Sequence, residues 1–337
     1  MDGVDARFVH QAGFFESDDE FLEVVLPFIR EGLEANEPTF IGVSLAHERL
    51  IRTELGNPPS LTYLVPTAER ANPLAVLRAN LKLFESQLAL GGSGAVRLLA
   101  ETHAAADDDA WEGWDRYEAV ANHLYAALPV RSLCTYDRRT TSPHVLDDVT
   151  RTHPEVLAAG RSARNDRYLA PAEFLARRAQ AEIDVLESTP PQLARRNLSL
   201  VEARRAVRSL ARETPLDEED VFGLVLAVNE AVANVAAHGR PPAELRAWAG
   251  DDRVVVTVRD RGVGPASPFA GLMRGAGEGR LGLWLSNQLC SRVTLTTDDQ
   301  GFTVHLVGGA AQPLRPPVSD ISRTRALGLD GAEQMSD

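Results

Sequence analysis

The order of helical and strand-like segments changes after about residue 160, and this change restricts the folds open to the chain. Before it, short apolar runs alternate with segments of helical periodicity, which is typical of a parallel sheet covered by helices. We therefore predict an α/β N-terminal domain with a mostly parallel sheet. Its predicted strands lie at 7–10, 38–44, 61–66, 95–101 and 130–137, and its predicted helices at 18–36, 45–56, 72–92 and 109–128.

The second half groups its helices and strands instead of alternating them. Two helices come first, and then two strands, a glycine-rich loop, a helix and a strand hairpin around 298–301. This order predicts an α+β two-layer sandwich. The predicted helices are 199–214, 217–239 and 281–291, and the first two strands are 244–250 and 253–260.

Two segments lack the patterns of a packed domain. Residues 160–171 are polar and rich in turn formers, and 172–189 then has helical periodicity up to Pro190 and Pro191, which stop a helix. The C-terminal end has little apolar periodicity and is expected to be a flexible tail. The predicted division is 1–165 for the first domain, 166–191 for a connecting helix and linker, 192–309 for the second domain and 310–337 for the tail.

Charge and cysteine content exclude several classes of protein. A net charge of −13 argues against broad binding to nucleic acid or to anionic lipid. Cys134 and Cys290 lie in different predicted domains, so no disulfide framework is expected. The acidic N-terminus has no signal-peptide core, and no apolar run approaches the roughly 18 residues that a membrane helix needs. A cytoplasmic protein without a membrane segment is predicted.

A carboxylate and two glycines follow a strongly apolar predicted strand in "VRDRGVGP". Asp260 at the strand end can accept a hydrogen bond from an exocyclic amine such as that of adenine. Gly262 and Gly264 let the backbone approach a flat ligand closely. An ordinary turn after a strand has the same pattern, so this motif alone does not decide between the two.

A second glycine cluster, "GAGEGRLGLWL", precedes a predicted helix. Backbone N–H groups at a helix N-terminus bind phosphate, and Gly279 and Gly282 lie where such a site would form. Arg280 could add a charge-assisted contact. The alternative is a mobile glycine-rich loop without a ligand.

Three polar side chains share one face of the otherwise apolar helix containing "NEAVANVAAH". Glu230, Asn234 and His238 are four residues apart and therefore lie in one row. The Asn234 oxygen is suited to Mg²⁺, and Glu230 is suited to act as a general base. A structural hydrogen-bond network is the alternative, and His238 is undecided between a supporting role and plain structure.

Together, these motifs resemble the ATP-binding fold shared by gyrase, Hsp90, histidine kinases and MutL, over roughly residues 195–308. The form "NEAVANVAAHG … GRLGLWLSNQL" is most similar to anti-sigma factor serine kinases of the RsbW type. The resemblance implies ATP and Mg²⁺ as ligands, Asn234 on the metal, Asp260 on adenine and Glu230 as catalytic base. It implies that a glycine-rich lid covers the phosphates, with Gly262, Gly264, Gly279 and Gly282 as the matching glycines.

The first half resembles the MEDS sensory domain, on the residues "HQAGFFESDDEFLEVVLPFIREGLEANEPTFIGVS" and "THPEVLAAG". This resemblance implies a RecA-like α/β fold without a phosphate loop, and the sequence indeed contains no Walker A motif. His10 lies at a predicted strand end, where α/β sheets bind ligands, although a lone histidine there is more often structural. Trp111, Trp114 and Tyr117 are expected to be core residues.

Three functions follow from these resemblances. The first is an anti-sigma factor that sequesters a sigma factor and phosphorylates a serine of a STAS-type anti-anti-sigma partner. The sensory domain would tune this activity. A homodimer is implied by the resemblance alone. The second is a nucleotide-binding anti-sigma module without catalysis. The third, a sensor histidine kinase, lacks a phosphoacceptor histidine in the connecting helix 172–189.

Overall fold

The structure is a computed structural model of the 337-residue chain. It describes residues 7–64, 73–91, 94–102, 111, 113–158, 161–181, 183–272 and 281–309. The predicted tail, 310–337, lies outside the described residues, as do Gly279 and Arg280.

The N-terminal half contains a seven-stranded sheet of order β3-β2-β4-β5-β1-β6-β7. Its first six strands in this order run parallel, and only β7 is antiparallel, to β6. The predicted mostly parallel sheet is therefore confirmed. The strands are β1 (Val9–Phe15), β2 (Thr39–Gly42), β3 (Leu61–Tyr63), β4 (Val96–Glu101), β5 (Val130–Asp137), β6 (Glu155–Ala158) and β7 (Arg161–Arg164).

Helices cover both faces of this sheet. Three of them begin at serine N-caps, where Ser17, Ser44 and Ser142 each accept a hydrogen bond from the N–H three residues on. The first two helices pack on one face over Phe15, Ile41 and neighbours, and the next three cover the other. The helices are α1 (Asp18–Glu34), α2 (Leu45–Leu55), α3 (Pro73–Ala89), α4 (Trp114–Leu124) and α5 (Pro143–Thr152).

Four short elements were not predicted: α5, β6, β7 and the later strand β8 (Leu193–Arg196). All four residues of β7 are exposed, and this strand lies within the stretch expected to be a turn-rich boundary. Its structure comes from backbone pairing with β6, a contact that its composition does not reveal.

The predicted connecting helix 172–189 is wrong in its extent. Helix α6 covers Pro171–Ala181 only, and a separate 3-10 turn follows at Val185–Ser188. Asp184 separates the two, because its side chain caps the 3-10 turn by accepting from the Leu186 N–H at 3.0 Å. Trp111 and Tyr117 are buried as expected.

The C-terminal half is a five-stranded antiparallel sheet of order β11-β12-β10-β9-β8. Three helices cover one face, so the predicted α+β sandwich is confirmed. The strands after β8 are β9 (Glu244–Ala249), β10 (Arg253–Asp260), β11 (Arg292–Asp298) and β12 (Gly301–Gly309), and the helices are α7 (Leu200–Ala211), α8 (Glu218–His238) and α9 (Leu281–Leu289).

Helix α8 is the central helix of this layer. It is, among the described residues, the one helix that is long and apolar enough to cross a membrane by length and composition. The expectation that no such run exists was therefore too strict. In the fold, α8 packs along β10 and β12 and buries Leu224, Val228 and Ala231 in the core. Its apolar character thus has a structural reason, which is to cover a sheet.

The segment after α6 covers the opposite face of the same sheet. The Asp184 carboxylate pairs with Arg253 at 2.9 Å and with Arg292 at 3.1 Å. Trp248 Nε1 donates to the Thr189 carbonyl at 2.9 Å, and Leu186 packs against the buried Trp248. Residues 184–189 are therefore docked on the sheet.

Candidate functional site

The carboxylate of Asp260 is held at the end of β10. Pairing of β10 with β9 ends at Arg259, and Asp260 itself pairs with Phe302 of β12 and is only 5% exposed. Its Oδ1 accepts hydrogen bonds from the N–H of Arg240, at 3.0 Å, and from the N–H of Gly262. Among the described residues both of its hydrogen bonds end on Oδ1. The second oxygen, Oδ2, accepts no hydrogen bond from the described residues.

The two glycines after Asp260 are required by close packing of the loop. A Cβ on Gly262 would lie 2.5 Å from Asp260 Oδ1. Gly264 has a φ of +72°, and a Cβ there would collide with the Phe302 ring. Protein contacts therefore give a reason for both glycines. Their predicted closeness to a flat ligand stays a prediction.

The row on α8 lies along the edge of its buried stripe. Glu230 and Asn234 are half-buried, whereas His238 is exposed in the last turn. Within the described parts of the chain, none of these three side chains makes a hydrogen bond or an ion pair. The three side chains therefore form no hydrogen-bond network with the described residues, and their contact with a ligand stays a prediction.

The start of α9 lies directly against Glu230. A Cβ on Gly282 would lie 2.6 Å from Glu230 Oε2 and 3.3 Å from Glu230 Cβ. A side chain at position 282 would therefore displace the carboxylate. Gly282 thus allows the close approach of the two helices, a role that sequence reasoning did not assign to it.

The two ends of the row meet different parts of the site. Glu230 is next to the start of α9, and Gly239, just past the end of α8, packs against the Asp260 carboxylate. These points are about 13 Å apart along the helix, and Asn234 lies between them. The arrangement offers a carboxylate for an amine at one end, a helix start for phosphate at the other, and an amide oxygen for a cation between them.

Asn229, next to this row, was not predicted to be a site residue. Asn229 Oδ1 is buried and has no hydrogen-bond partner among the residues that the structure describes. A buried amide oxygen without a partner costs free energy unless a ligand or water satisfies it. The available signal was a second asparagine beside Glu230 on an otherwise apolar helix.

Comparison with known families matches both halves of the chain. Residues 9–154 match the MEDS model, the methanogen/methylotroph DcmR sensory domain. Residues 193–307 match the model of the histidine kinase-like ATPase domain. The chain joins a MEDS domain to a histidine kinase-like ATPase domain. Both resemblances expected from the sequence are thereby confirmed.

Solved structures include two partial matches. The RsbU and RsbW domains of a Mycobacterium tuberculosis protein align with 26% identity and a TM-score of 0.24, covering 38% of this chain and 34% of that one. The histidine kinase domain of the blue-light activated kinase of Erythrobacter litoralis EL346 aligns with 16% identity and a TM-score of 0.24, covering 42% and 78%. The chain spans about a third of the length of the Mycobacterium structure. No curated protein matches the chain.

The loop after the Asp260 motif is anchored on the MEDS domain. Phe269 and Leu272 are buried in a cluster with residues of α3 and α4. The His123 ring on α4 stacks on Phe269 with 3.8 Å between ring centroids and 14° between planes. The first part of the glycine-rich lid is therefore built against the sensory domain.

Further contacts join the MEDS helices to the ATPase domain. Arg116 on α4 donates to the Val293 carbonyl on β11 at 3.0 Å. The Arg78 guanidinium on α3 lies 5.2 Å from the centre of the Trp284 ring on α9. Two MEDS helices thus reach the lid, the helix that follows it and the sheet edge.

Proposed function

We propose that the ATPase domain binds ATP with Mg²⁺ and acts as an anti-sigma regulator with protein serine kinase activity. One observation carries the proposal: Glu230 and Asn234, one turn apart and half-buried, have no partner in the described part of the chain. They lie between the held Asp260 carboxylate and the start of α9. This is the side-chain set that a nucleotide, a cation and a hydroxyl would need together.

The residues fit the implied ligands. The fixed Asp260 carboxylate would accept from the exocyclic amine of adenine, and the Asn234 oxygen would coordinate Mg²⁺. Bound Mg²⁺ would neutralise phosphate charge. Gly279, Arg280 and the N–H groups near Gly282 would hold phosphate.

Glu230 would serve as the base for phosphoryl transfer. It would take the proton of a serine hydroxyl as that oxygen bonds to the γ-phosphorus and the bond to ADP breaks. Its carboxylate lies beside Gly282, at the start of α9. The substrate would be a serine of a STAS-type anti-anti-sigma protein, and the domain would also sequester a sigma factor. We place the protein in the cytoplasm, as a homodimer.

The MEDS domain would tune this activity through the lid. Phe269 and Leu272, near the start of the lid, are held by α3 and α4. A change in the position of α4 would therefore move the segment that closes over the nucleotide. In this coupling, no residue of the MEDS domain has to contact the nucleotide.

The experiment is incubation of the purified full chain with γ-labelled ATP, Mg²⁺ and a STAS-type partner. We expect label on a partner serine. Glu230→Gln should abolish it without loss of ATP binding, whereas Glu218→Gln, an exposed glutamate on the same helix, should leave it unchanged. ATP binding without any transfer would contradict the kinase and favour a non-catalytic nucleotide-binding module. Label on a histidine of the chain itself would point to a histidine kinase.

A further inference from the structure

Four metal-ligating side chains from different parts of the sequence meet inside the MEDS domain. They are His10 on β1, Glu118 on α4, Cys134 on β5 and His153 just after α5. All four are buried, and one ligand atom from each lies within 4.8 Å of all the others. Parallel pairing of β1 with β5 aligns Ala12 with Cys134, which puts His10 and Cys134 on the same face of the sheet. The cluster is remote in sequence from the nucleotide-site residues.

Four of the six separations are close to those of ligands around one small ion. His10 Nε2 lies 3.2 Å from Glu118 Oε2, and His153 Nε2 lies 3.7 Å from the same oxygen. Cys134 Sγ is 3.5 Å from His10 Nε2 and 4.0 Å from Glu118 Oε2. In a tetrahedron with zinc–ligand bonds of about 2.0–2.3 Å, neighbouring ligand atoms are roughly 3.3–3.8 Å apart. Only small shifts would be needed to reach that geometry.

Hydrogen bonds on the far side of His10 orient its lone pair into the cluster. Asn122 Nδ2 donates to the carbonyls of Glu118, at 2.9 Å, and Thr152, at 2.7 Å. The other amide atom, Oδ1, therefore accepts from His10 Nδ1 at 3.1 Å. The proton of His10 is on Nδ1, and the lone pair is on Nε2, which faces the other three side chains.

His153 is arranged in the same way. Its Nδ1 lies 2.9 Å from the Val149 carbonyl, which can only accept, so this nitrogen carries the proton. Its Nε2 is buried and makes no hydrogen bond to any residue that the structure describes. An unsatisfied, fully buried imidazole nitrogen aimed at a carboxylate and a thiol is the second observation that points to a ligand.

We propose that His10, Glu118, Cys134 and His153 form a tetrahedral site for one divalent transition-metal ion of the zinc type. Two imidazoles and a thiolate favour zinc, cobalt or ferrous iron over Mg²⁺ or Ca²⁺, which take oxygen ligands. The thiol of Cys134 gives its proton to solvent on binding. Tyr136 donates to Glu118 Oε1 at 3.0 Å, which leaves Oε2 for the ion.

Helix α4 connects this cluster to the ATPase domain. It carries Glu118 and Asn122 at the cluster, and Arg116 and His123 at β11 and the lid. Metal loading therefore acts on the helix that holds the lid. The site itself does not depend on the kinase proposal.

In the test, a chelator first removes any bound metal from the full chain, and Co²⁺ is then added as the probe. We expect one equivalent to bind, with the intense visible bands of a tetrahedral site and a near-ultraviolet thiolate-to-cobalt band, and Zn²⁺ to displace it. Cys134→Ser should lose the thiolate band and weaken binding at least tenfold. Cys290→Ser changes the buried cysteine of the ATPase domain and is the matched control. This variant should keep the thiolate band and the wild-type affinity for Co²⁺.

Asn122→Ala provides a variant that leaves all four ligands in place. Loss of the His10 partner should weaken Co²⁺ binding by roughly 10–100-fold while the thiolate band remains. If Cys134→Ser does not fold, as judged by near-ultraviolet circular dichroism, Asn122→Ala and His153→Gln decide the question. No uptake of Co²⁺ by the wild-type chain, or a spectrum equal in the wild type and the Cys134 variant, would overturn the proposal and leave a buried hydrogen-bond network.

Discussion

His123 of the MEDS domain lies flat on Phe269 of the ATPase lid, with ring centroids 3.8 Å apart. The two residues belong to different domains and are far apart in the chain. Phe269 is 8% exposed, because α3 and α4 also cover it. The lid is thus anchored at one end by the sensory domain before any ligand arrives.

Removal of this anchor should loosen the lid. We expect Phe269→Ala to destabilise the chain by about 2–4 kcal/mol, since a buried ring leaves a cavity. Hydrogen exchange should become faster in residues 265–272. Phe222→Ala removes a ring that is 57% exposed in the same domain, and it should have little effect on either measurement.

A side chain at position 282 should force Glu230 to move. The methyl group of Gly282→Ala would lie 2.6 Å from Glu230 Oε2 and 3.3 Å from Glu230 Cβ, and because the carboxylate ends a flexible side chain we expect a loss of only about 1 kcal/mol in a denaturant melt. The double variant with Glu230→Ala should recover most of this loss. A loss in the double variant equal to the sum of the losses in the two single variants would show that the two residues do not interact.

Asn234 should account for the Mg²⁺ dependence of nucleotide binding. In the wild type, ATP should bind more tightly in Mg²⁺ than in a chelator, as measured by calorimetry. Asn234→Ala should remove this difference, because the cation loses its amide ligand. His238→Ala, one turn further along the row, should retain the difference in ATP affinity. If this variant also lost the difference, His238 would belong to the Mg²⁺ site.

The Asp184 ion pairs should stabilise the ATPase domain in a pH-dependent way. Burial raises the pKa of Asp184. Hydrogen bonds and the positive charges of Arg253 and Arg292 together lower this pKa by more than burial raises it, so it lies below its ordinary value. The carboxylate therefore stabilises the fold above an unfolded-state pKa of about 3.9, and this contribution disappears as the pH falls through the lower folded-state pKa.

Asp184→Asn should accordingly cost about 2–3 kcal/mol at pH 7, with a shrinking difference from the wild type below about pH 4. Asp252→Asn removes a partner of the same Arg253, but the Asp252 side chain is 61% exposed. This control should cost less than about 0.5 kcal/mol, because exposed ion pairs contribute little. An equal cost in both variants would show that burial of Asp184 is not the cause.

Local patterns were sufficient for much of the fold. The alternating order of the first half and the grouped order of the second predicted both architectures, since periodicities of 3.6 and 2 are local properties. The short elements were missed for the same reason. Strand β7 is exposed on all four residues and exists only through its pairing with β6.

The sequence alone placed Asp260 at a strand end and aligned Glu230, Asn234 and His238, because strand and helix geometry dictate these positions. It did not reveal that a side chain at position 262 would clash with Asp260 and one at position 264 with Phe302, or that Gly282 packs on Glu230. Nor did it join His10 to Cys134, 124 residues away, or His123 to Phe269. The first contact depends on strand order, which places β1 beside β5, and the second depends on the packing of the two domains. Strand order and domain packing are decided only when the chain buries its apolar faces together.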